Sequence, residues 1–586
     1  MLTWYVRGAV IALAMTGVSS ASGSNRTVVY VNAAAGAGGN GTSWSAAYRD
    51  LQDALAGATS NTDIWVAQGT YRPDRGGNQR SATFMVPAGT QLYGGFSGGE
   101  TSVNQRDLSV RNTVLSGDIG VPGDNADNSF HVVRFMGGVA APKLDGFVVT
   151  GGHANGASYP DESGGGILSD GAVPTIVSCT VVGNTAKFGG GMFAKNGAVT
   201  VIASDFRSNT GVQDGGAIVA RSGGLIRGTS FSGNNAVFGG AIMCCCGSMR
   251  VESCTFRANH ANKGGGLFTA VGTLMVANSE FFSNNAIEGG GLYTSASNYG
   301  IKNCRFGSNS AQLGGALQLI GAGTVANCTF VRNFATASGG AVHSTQASNL
   351  VNNTFYSNAA LVYGGGLHVL QGSPTVRNSI FWANNDSTGQ TQSAQIMRMS
   401  GTPSIAYNCV QGWTGTLGGV GNFAASPGFV DPTGPDGIPG TSDDDLRLSL
   451  GSPCIDAGDY SSLPADLADL NGNGNTMEML PLDLDMLERV VRHYGGANTG
   501  VPGPGANDWV DIGAFEFRTA ACVGDANGDN LINGGDLSVL LHQFGDSDLD
   551  SYAGADMNGD GIVNGEDLSV LLGRFGEVCP TPSPEQ

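Results

Sequence analysis

The sequence predicts an all-β chain, a solenoid of stacked parallel β-helix rungs, with a small all-α module at its C-terminal end. Three observations carry that prediction. A Gly-Gly-[Gly/Ala]-aliphatic tetrad recurs nine times, starting at Gly164, Gly189, Gly215, Gly239, Gly264, Gly289, Gly314, Gly339 and Gly364, in steps of 24 to 26 residues. About twenty residues after each tetrad the chain closes with an asparagine: Asn184, Asn209, Asn234, Asn259, Asn284, Asn309, Asn333, Asn358 and Asn384. From residue 519 the pattern gives way to two acidic loops, 31 residues apart, each followed by an apolar-periodic segment. A fixed period of this length means one unit stacked on copies of itself, each burying the face its neighbour leaves open.

Taken from the start, Met1 to Ala21 has Arg7 before the apolar run Gly8 to Val18, then small residues, the pattern of a secretory signal peptide. The run is too short to span a bilayer and nothing similar follows, so no transmembrane segment is expected in the mature chain. Residues 24 to about 150 hold short apolar runs such as Val28 to Val31 and Asp63 to Val66. Between those two runs, Tyr48, Leu51 and Leu55 fall at helical spacing, which predicts a short amphipathic helix over Ala46 to Ala56 covering the open end of the core.

In the repeats, which fill about 151 to 390, the aliphatic column Ile167, Met192, Ile218, Ile242, Leu267, Leu292, Leu317, Val342 and Leu367 is expected to point inward. So is the aromatic column Phe206, Phe231, Phe256, Phe281, Phe306, Phe330, Phe355 and Phe381, with Val181 in the first rung. The recurring asparagines suit an amide ladder satisfying backbone groups where the strand bends, and the glycines suit a corner needing positive φ. From 391 to 518 the period fades into a segment rich in Asp, Gly and Pro, the closing part of a β-helix domain over 24–518.

Composition fits this reading. The 95 glycines follow no Gly-X-Y period, which excludes collagen, and 41% hydrophobic residues is too many for disorder. A net charge of −19 argues against a nucleic-acid partner and suits a secreted or surface-associated protein in a calcium-containing medium. Eleven cysteines, an odd number, cannot all pair. Cys179, Cys254, Cys304 and Cys328 share one phase and read as small interior groups; Cys522 and Cys579 bracket the last module and read as a disulfide, and pairing of Cys409 with Cys454 is left open.

The last module spans 519–579, ahead of a short tail over 580–586. Asp525, Asn527, Asp529, Asn533 and Asp536 recur as Asp556, Asn558, Asp560, Asn564 and Asp567. These are hard oxygen donors at positions 1, 3, 5, 9 and 12 of a calcium loop, with the carbonyls of Leu531 and Ile562 at position 7. Two Ca²⁺ ions are expected. The apolar-periodic segments Leu537 to Phe544 and Leu568 to Phe575 follow as helices.

With these residues in view, Gly-Gly-Ala-Ile (215–218 and 239–242) alternating with Phe-x-x-Asn resembles the repeat of the polymorphic outer-membrane protein family, and more widely the right-handed parallel β-helix, or pectate-lyase-like, superfamily. That resemblance implies an adhesin-like passenger; the membrane β-barrel usual at the family's C-terminus is not expected within these residues. The segments Asp444 to Gly458 and Asp511 to Phe515 are similar to the closing region of exported β-helix proteins that carry interchangeable surface anchors. Asp at position 12, loop-then-helix order and duplication resemble the dockerin family, which implies calcium binding and a cohesin-like partner. Gly534-Gly535 and Gly565-Glu566 stand where many dockerins carry Ser/Thr recognition pairs, and Asn530 replaces the turn glycine.

Pectate-lyase-like folds also include polysaccharide lyases and hydrolases, so polysaccharide catabolism is the alternative function. The residues assign no catalytic site: the five lysines, Lys143, Lys187, Lys195, Lys263 and Lys302, occupy different phases, and Asp205, Glu252 and Glu280 sit on separate rungs. One column instead suggests a binding face. The residue after the inward aliphatic alternates outward and reads Leu168, Phe193, Val219, Met243, Phe268, Tyr293, Gln318, His343, His368. An exposed stripe of Phe193, Phe268, Tyr293, Gln318, His343 and His368 would stack on and grip a glycan; otherwise a loop or the 391–518 segment covers it. No third ligand shares the phase of His343 and His368 in the repeat, which argues against a metal there.

Overall fold

The computed structural model describes residues 26–138, 140–296, 298–441, 443–491, 498–505, 508–518, 531–544 and 563–577, with residues 524, 526, 555 and 557. The signal segment lies outside these. The rod is a right-handed parallel β-solenoid. In one rung Gly247–Glu252, Thr255–Arg257 and Leu267–Thr269 follow each other in chain order, and each pairs in parallel with its counterpart 25 residues on: Gly272–Ala277, Glu280–Phe282 and Leu292–Thr294. Stacking builds three faces among the described residues. The first has 14 strands, from Thr27–Val31 to Ser404–Ala406; the second 13, from Gly69–Tyr71 to Cys409–Val410; the third 12, from Phe84–Val86 to Ile396–Arg398.

The bore is filled as the repeat predicts. The aliphatic column from Ile167 to Leu367 is fully buried, and Phe206 to Phe381 form an unbroken stack with centroids 4.3–5.5 Å apart. The rung repeat of about 4.8 Å sets that spacing, and each stacked pair adds about 0.5–1.5 kcal/mol beyond the area it buries. Cys179, Cys254, Cys304 and Cys328 line the same bore. Burial pushes the Cys179 and Cys254 thiols up to about 12, so they stay protonated fillers.

Between the second and third faces runs the asparagine ladder. Asn284 Nδ2 donates to Asn309 Oδ1 at 3.0 Å and to the Phe256 carbonyl at 2.9 Å, while Asn284 Oδ1 accepts from the backbone and side-chain nitrogens of Asn259. The pattern repeats from Asn184 to Asn384 and ends on Gln395 of a short helix, where Asn384 Nδ2 meets Gln395 Oε1 at 2.7 Å. Every amide is buried and used on both sides, which is what makes a polar column tolerable inside a rod.

At the N-terminal end a helix, α1 (Leu51–Ala56), packs Leu51, Ala54 and Leu55 into the core. It is shorter than its periodicity suggests. The Asp50 side chain accepts from Gln52 N and starts the helix there, leaving Trp44–Ala46 as a 3-10 turn and Tyr48 bridged to Val31. At the other end the rungs continue past the fading of the repeat: α2 (Gln392–Gln395) is inserted, and Ile396–Arg398 then returns to the third face beside Leu367–Val369.

Beyond residue 425 the chain turns back and lies as a strap over the corner between the first and second faces. Leu470 and Leu480 pack on Ala277 and Ala326; Leu446, Leu484 and Phe515 pack on Val331 and Tyr356. At that corner Asn303, Asn327, Asn352 and Asn378 have positive φ, and their side-chain amides donate to the strap carbonyls of Asp483, Leu482, Asp511 and Asp459.

Candidate functional site

Two helices follow the acidic loops: α3 (Gly534–His542) and α4 (Gly565–Gly573). The same local chemistry starts both. Asn533 Oδ1 accepts from Gly535 N at 2.6 Å, and Asp536 reaches back to Asn533 N at 2.7 Å; Asn564 and Asp567 repeat this with Glu566 N at 2.7 Å and Asn564 N at 2.8 Å. These are reciprocal capping boxes. The other oxygen of Asp567 accepts from Met557 N, pulling the loop onto its helix. Asp536 and Asp567 are fully buried over a core of Ile532, Leu540, Ala555, Val563 and Leu571.

A fully buried carboxylate at position 12 of an oxygen-rich loop fits a hard divalent cation, whose charge offsets the cost of burial. Of the twelve expected ligands, Leu531, Asn533, Asp536, Asn564 and Asp567 are described; Asp525, Asn527, Asp529, Asp556, Asn558, Asp560 and Ile562 lie outside the described residues, as do Cys522 and Cys579. The duplication also repeats on the surface. Leu541 and Leu572 are 56% and 54% exposed, and Phe544 and Phe575 are 50% and 48%.

Residues 523–575 match the Dockerin type I domain family. Dockerin type I domains bind calcium, in keeping with the buried position-12 carboxylates. No curated protein matches the chain. Among solved structures the chain is similar to one described as the crystal structure of pectate lyase Pel9A, at 16% identity and a TM-score of 0.33, covering 84% of this chain and 96% of that one.

The predicted glycan stripe is not exposed. Phe193, Gln318, His343 and His368 are 2–3% exposed, Phe268 8% and Tyr293 9%. The strap beyond residue 425 is not what covers it, since it lies on the opposite corner; among the described residues of 391–518 only Met397 pairs with the column, at its last rung beside His368. The cover is local. The leading glycine of each tetrad takes positive φ, +65° at Gly189, and turns the chain so sharply that a Cβ there would sit 3.0 Å from Phe193 Cα. The residue just before the glycine therefore folds against the stripe: Phe188 joins the Leu168, Phe193 and Val219 cluster, Phe238 packs 5.3 Å from Phe268, and Lys263 Nζ lies 4.9 Å over Tyr293. Tyr159 and Arg221 close over Phe193. Strict strand alternation placed the column outside the bore correctly and missed that the corner is concave.

The strap creates a pocket that no single rung encodes. Glu280, Phe282 and Arg305 of the second face meet Asp444, Leu446 and Phe515 of the strap. Burial, then the nearby Asp443 and Asp436, pushes the Asp444 carboxyl up to about 6. Arg305 sits 3.3 Å from Asp485 and 5.8 Å over the Phe515 ring. A carboxyl that holds its proton to about pH 6, a carboxylate and a guanidinium beside an aromatic ring could hold and polarise a small polar group. Among the described residues, no three His, Cys, Asp or Glu side chains form a metal site, and no helix is long and apolar enough to cross a membrane.

Proposed function

We propose that this chain is an exported, non-catalytic β-helix rod attached through its dockerin-like module, ordered by two calcium ions, to a cohesin-like protein partner. The observation that carries the reading is the exact 31-residue duplication of both the buried caps and the exposed Leu541/Phe544 and Leu572/Phe575 pairs. Paired exposed apolar residues at and just past the C-terminal ends of the helices of a module that needs its ions to fold suit a partner-binding surface governed by calcium. The rod is then the presented part, facing a glycan or cell-surface component, though not through the column from Phe193 to His368. Immobilised cohesin domains should retain the full chain in calcium and release it in chelator. Retention unchanged by Leu541→Ala with Leu572→Ala, or no retention by any cohesin tested, would overturn the reading.

The pocket at Glu280, Arg305 and Asp444 favours a second reading, a polysaccharide lyase or hydrolase. New reducing ends or unsaturated uronate absorbance from pectin, alginate or sulfated polysaccharides, lost in Asp444→Asn, would support it over the first.

A further inference from the structure

His343 and His368 lie in register on adjacent rungs of the third face, with rings 4.9 Å apart. Each is 3% exposed, yet His343 Nδ1 and both ring nitrogens of His368 have no hydrogen-bond partner. Gln318 Oε1, one rung earlier in the same column, is also unpartnered. Buried polar atoms are nearly always satisfied, and a cluster of exceptions calls for a water or an ion. Burial pulls both imidazoles down to about 4, with His368 adding to the effect on His343, so both are neutral and able to ligate at ordinary pH.

The rung after His368 supplies a third donor. Met397 pairs with His368 in the parallel register, and its side chain is half-buried. The repeat hides it: with α2 inserted, His368 and Met397 are 29 residues apart, so Met397 falls out of the 25-residue phase in sequence while keeping it in space.

We propose that His343, His368 and Met397 form a binding site for one monovalent copper ion. Neighbouring rungs stand about 4.8 Å apart, so one ion with bonds of about 2.0–2.3 Å reaches all three donors when the His343 ring and the Met397 thioether lean toward the central His368. The donors are two imidazoles and a thioether, all neutral. A thioether selects a soft ion, and without a carboxylate in the set a single positive charge costs less to bury than a double one. Tyr363, 40% exposed, stacks with its ring 6.0 Å from that of the buried His368. The site is independent of the dockerin module.

The test is an anaerobic titration of Cu(I) against bicinchoninate, using the full chain with Cys245→Ser and Cys246→Ser to remove the most exposed thiols among the described residues. This parent should withdraw one equivalent of copper. His368→Gln should weaken binding at least a hundredfold and Met397→Leu at least tenfold, and the copper–sulfur component of the X-ray absorption spectrum should vanish in Met397→Leu while the nitrogen shell stays. Met397→Leu keeps the side-chain volume, so its metal-free thermal unfolding should match the parent and separates lost ligation from lost folding. No copper withdrawn by the parent, equal affinity in parent and both variants, binding seen only when Cys245 and Cys246 are present, or preference for Zn²⁺ would each overturn the site.

Discussion

The side-chain amide of Asn303 donates to the backbone carbonyl of Asp483, 180 residues further along the chain, at 2.5 Å. Asn327, Asn352 and Asn378 make the same bond one rung after another, so a column at a solenoid corner serves as the clip for the strap. Asn352→Ala removes one of two donors from the buried Asp511 carbonyl, which keeps its bond from Arg489, so the expected loss is that of one net hydrogen bond, about 0.5–1.5 kcal/mol of local stability. Hydrogen exchange should quicken over 455–515 and stay unchanged in rungs 164–300.

The asparagine ladder is the more severe site. Asn284→Ala strips a carbonyl and two neighbouring amides of their partners at once, and the expected loss is at least about 3 kcal/mol. Because each rung contacts only its neighbours, denaturant unfolding should become biphasic, not simply shifted.

Gly264 takes φ +64°, and a Cβ there would meet the Leu267 carbonyl at 2.2 Å. Neither the backbone oxygen nor the turn can give way, so Gly264→Ala should abolish soluble folded protein. Gly389→Ala, also at positive φ but with nothing within 4 Å, should remain soluble and lose only the modest cost of a left-handed alanine, read by thermal melt.

Beneath the strap, burial and the neighbouring Asp511 push the Asp456 carboxyl up to about 7, and Asp511 itself, held by burial against bonds from Asp456 N and Phe517 N, lies at about 6. Both are raised above the ordinary value of 3.8, so the folded strap binds more protons than the unfolded chain between about pH 4 and 7. Strap stability is therefore greatest at the acid end of that window and falls as pH rises through it. Exchange protection over 455–515 should decline from pH 4.5 to 7.5, and Asp456→Asn should flatten the decline.

Chelation should melt α3 and α4 while the rungs keep their β-sheet signal, since the core of the rod shares no expected ligand with the module. A Cys522–Cys579 bridge would hold part of the module without metal, so the circular dichroism titration needs arms with and without reductant. Helical signal retained in excess chelator and reductant together would refute metal-dependent folding.

The solenoid was legible because every rung repeats the same physical demand. Leu267, Phe281 and Asn284 recur in phase with their copies, and a column of apolar or amide side chains has one sensible place inside a rod. Asp536 and Asp567 stand out in the sequence as expected ligands for a similar reason, oxygen donors recurring at loop spacing, and the structure shows both carboxylates buried and capping their helices. The stripe was misread because alternation says which side of a strand a residue is on and not how the next strand folds over it; Phe188, Phe238 and Lys263 decide that.

The sequence by itself determined the rod, its register and its duplicated C-terminal module, since these rest on local periodicity and short-range spacing. Tertiary structure alone decided the concave corner that buries Phe268 and His368, the clip of Asn303 on Asp483, the meeting of Glu280 with Asp444, and the return of Met397 to the register of His368. Each joins residues through a turn angle, a long-range contact or an insertion, and none of those leaves a period in the chain for a repeat to reveal.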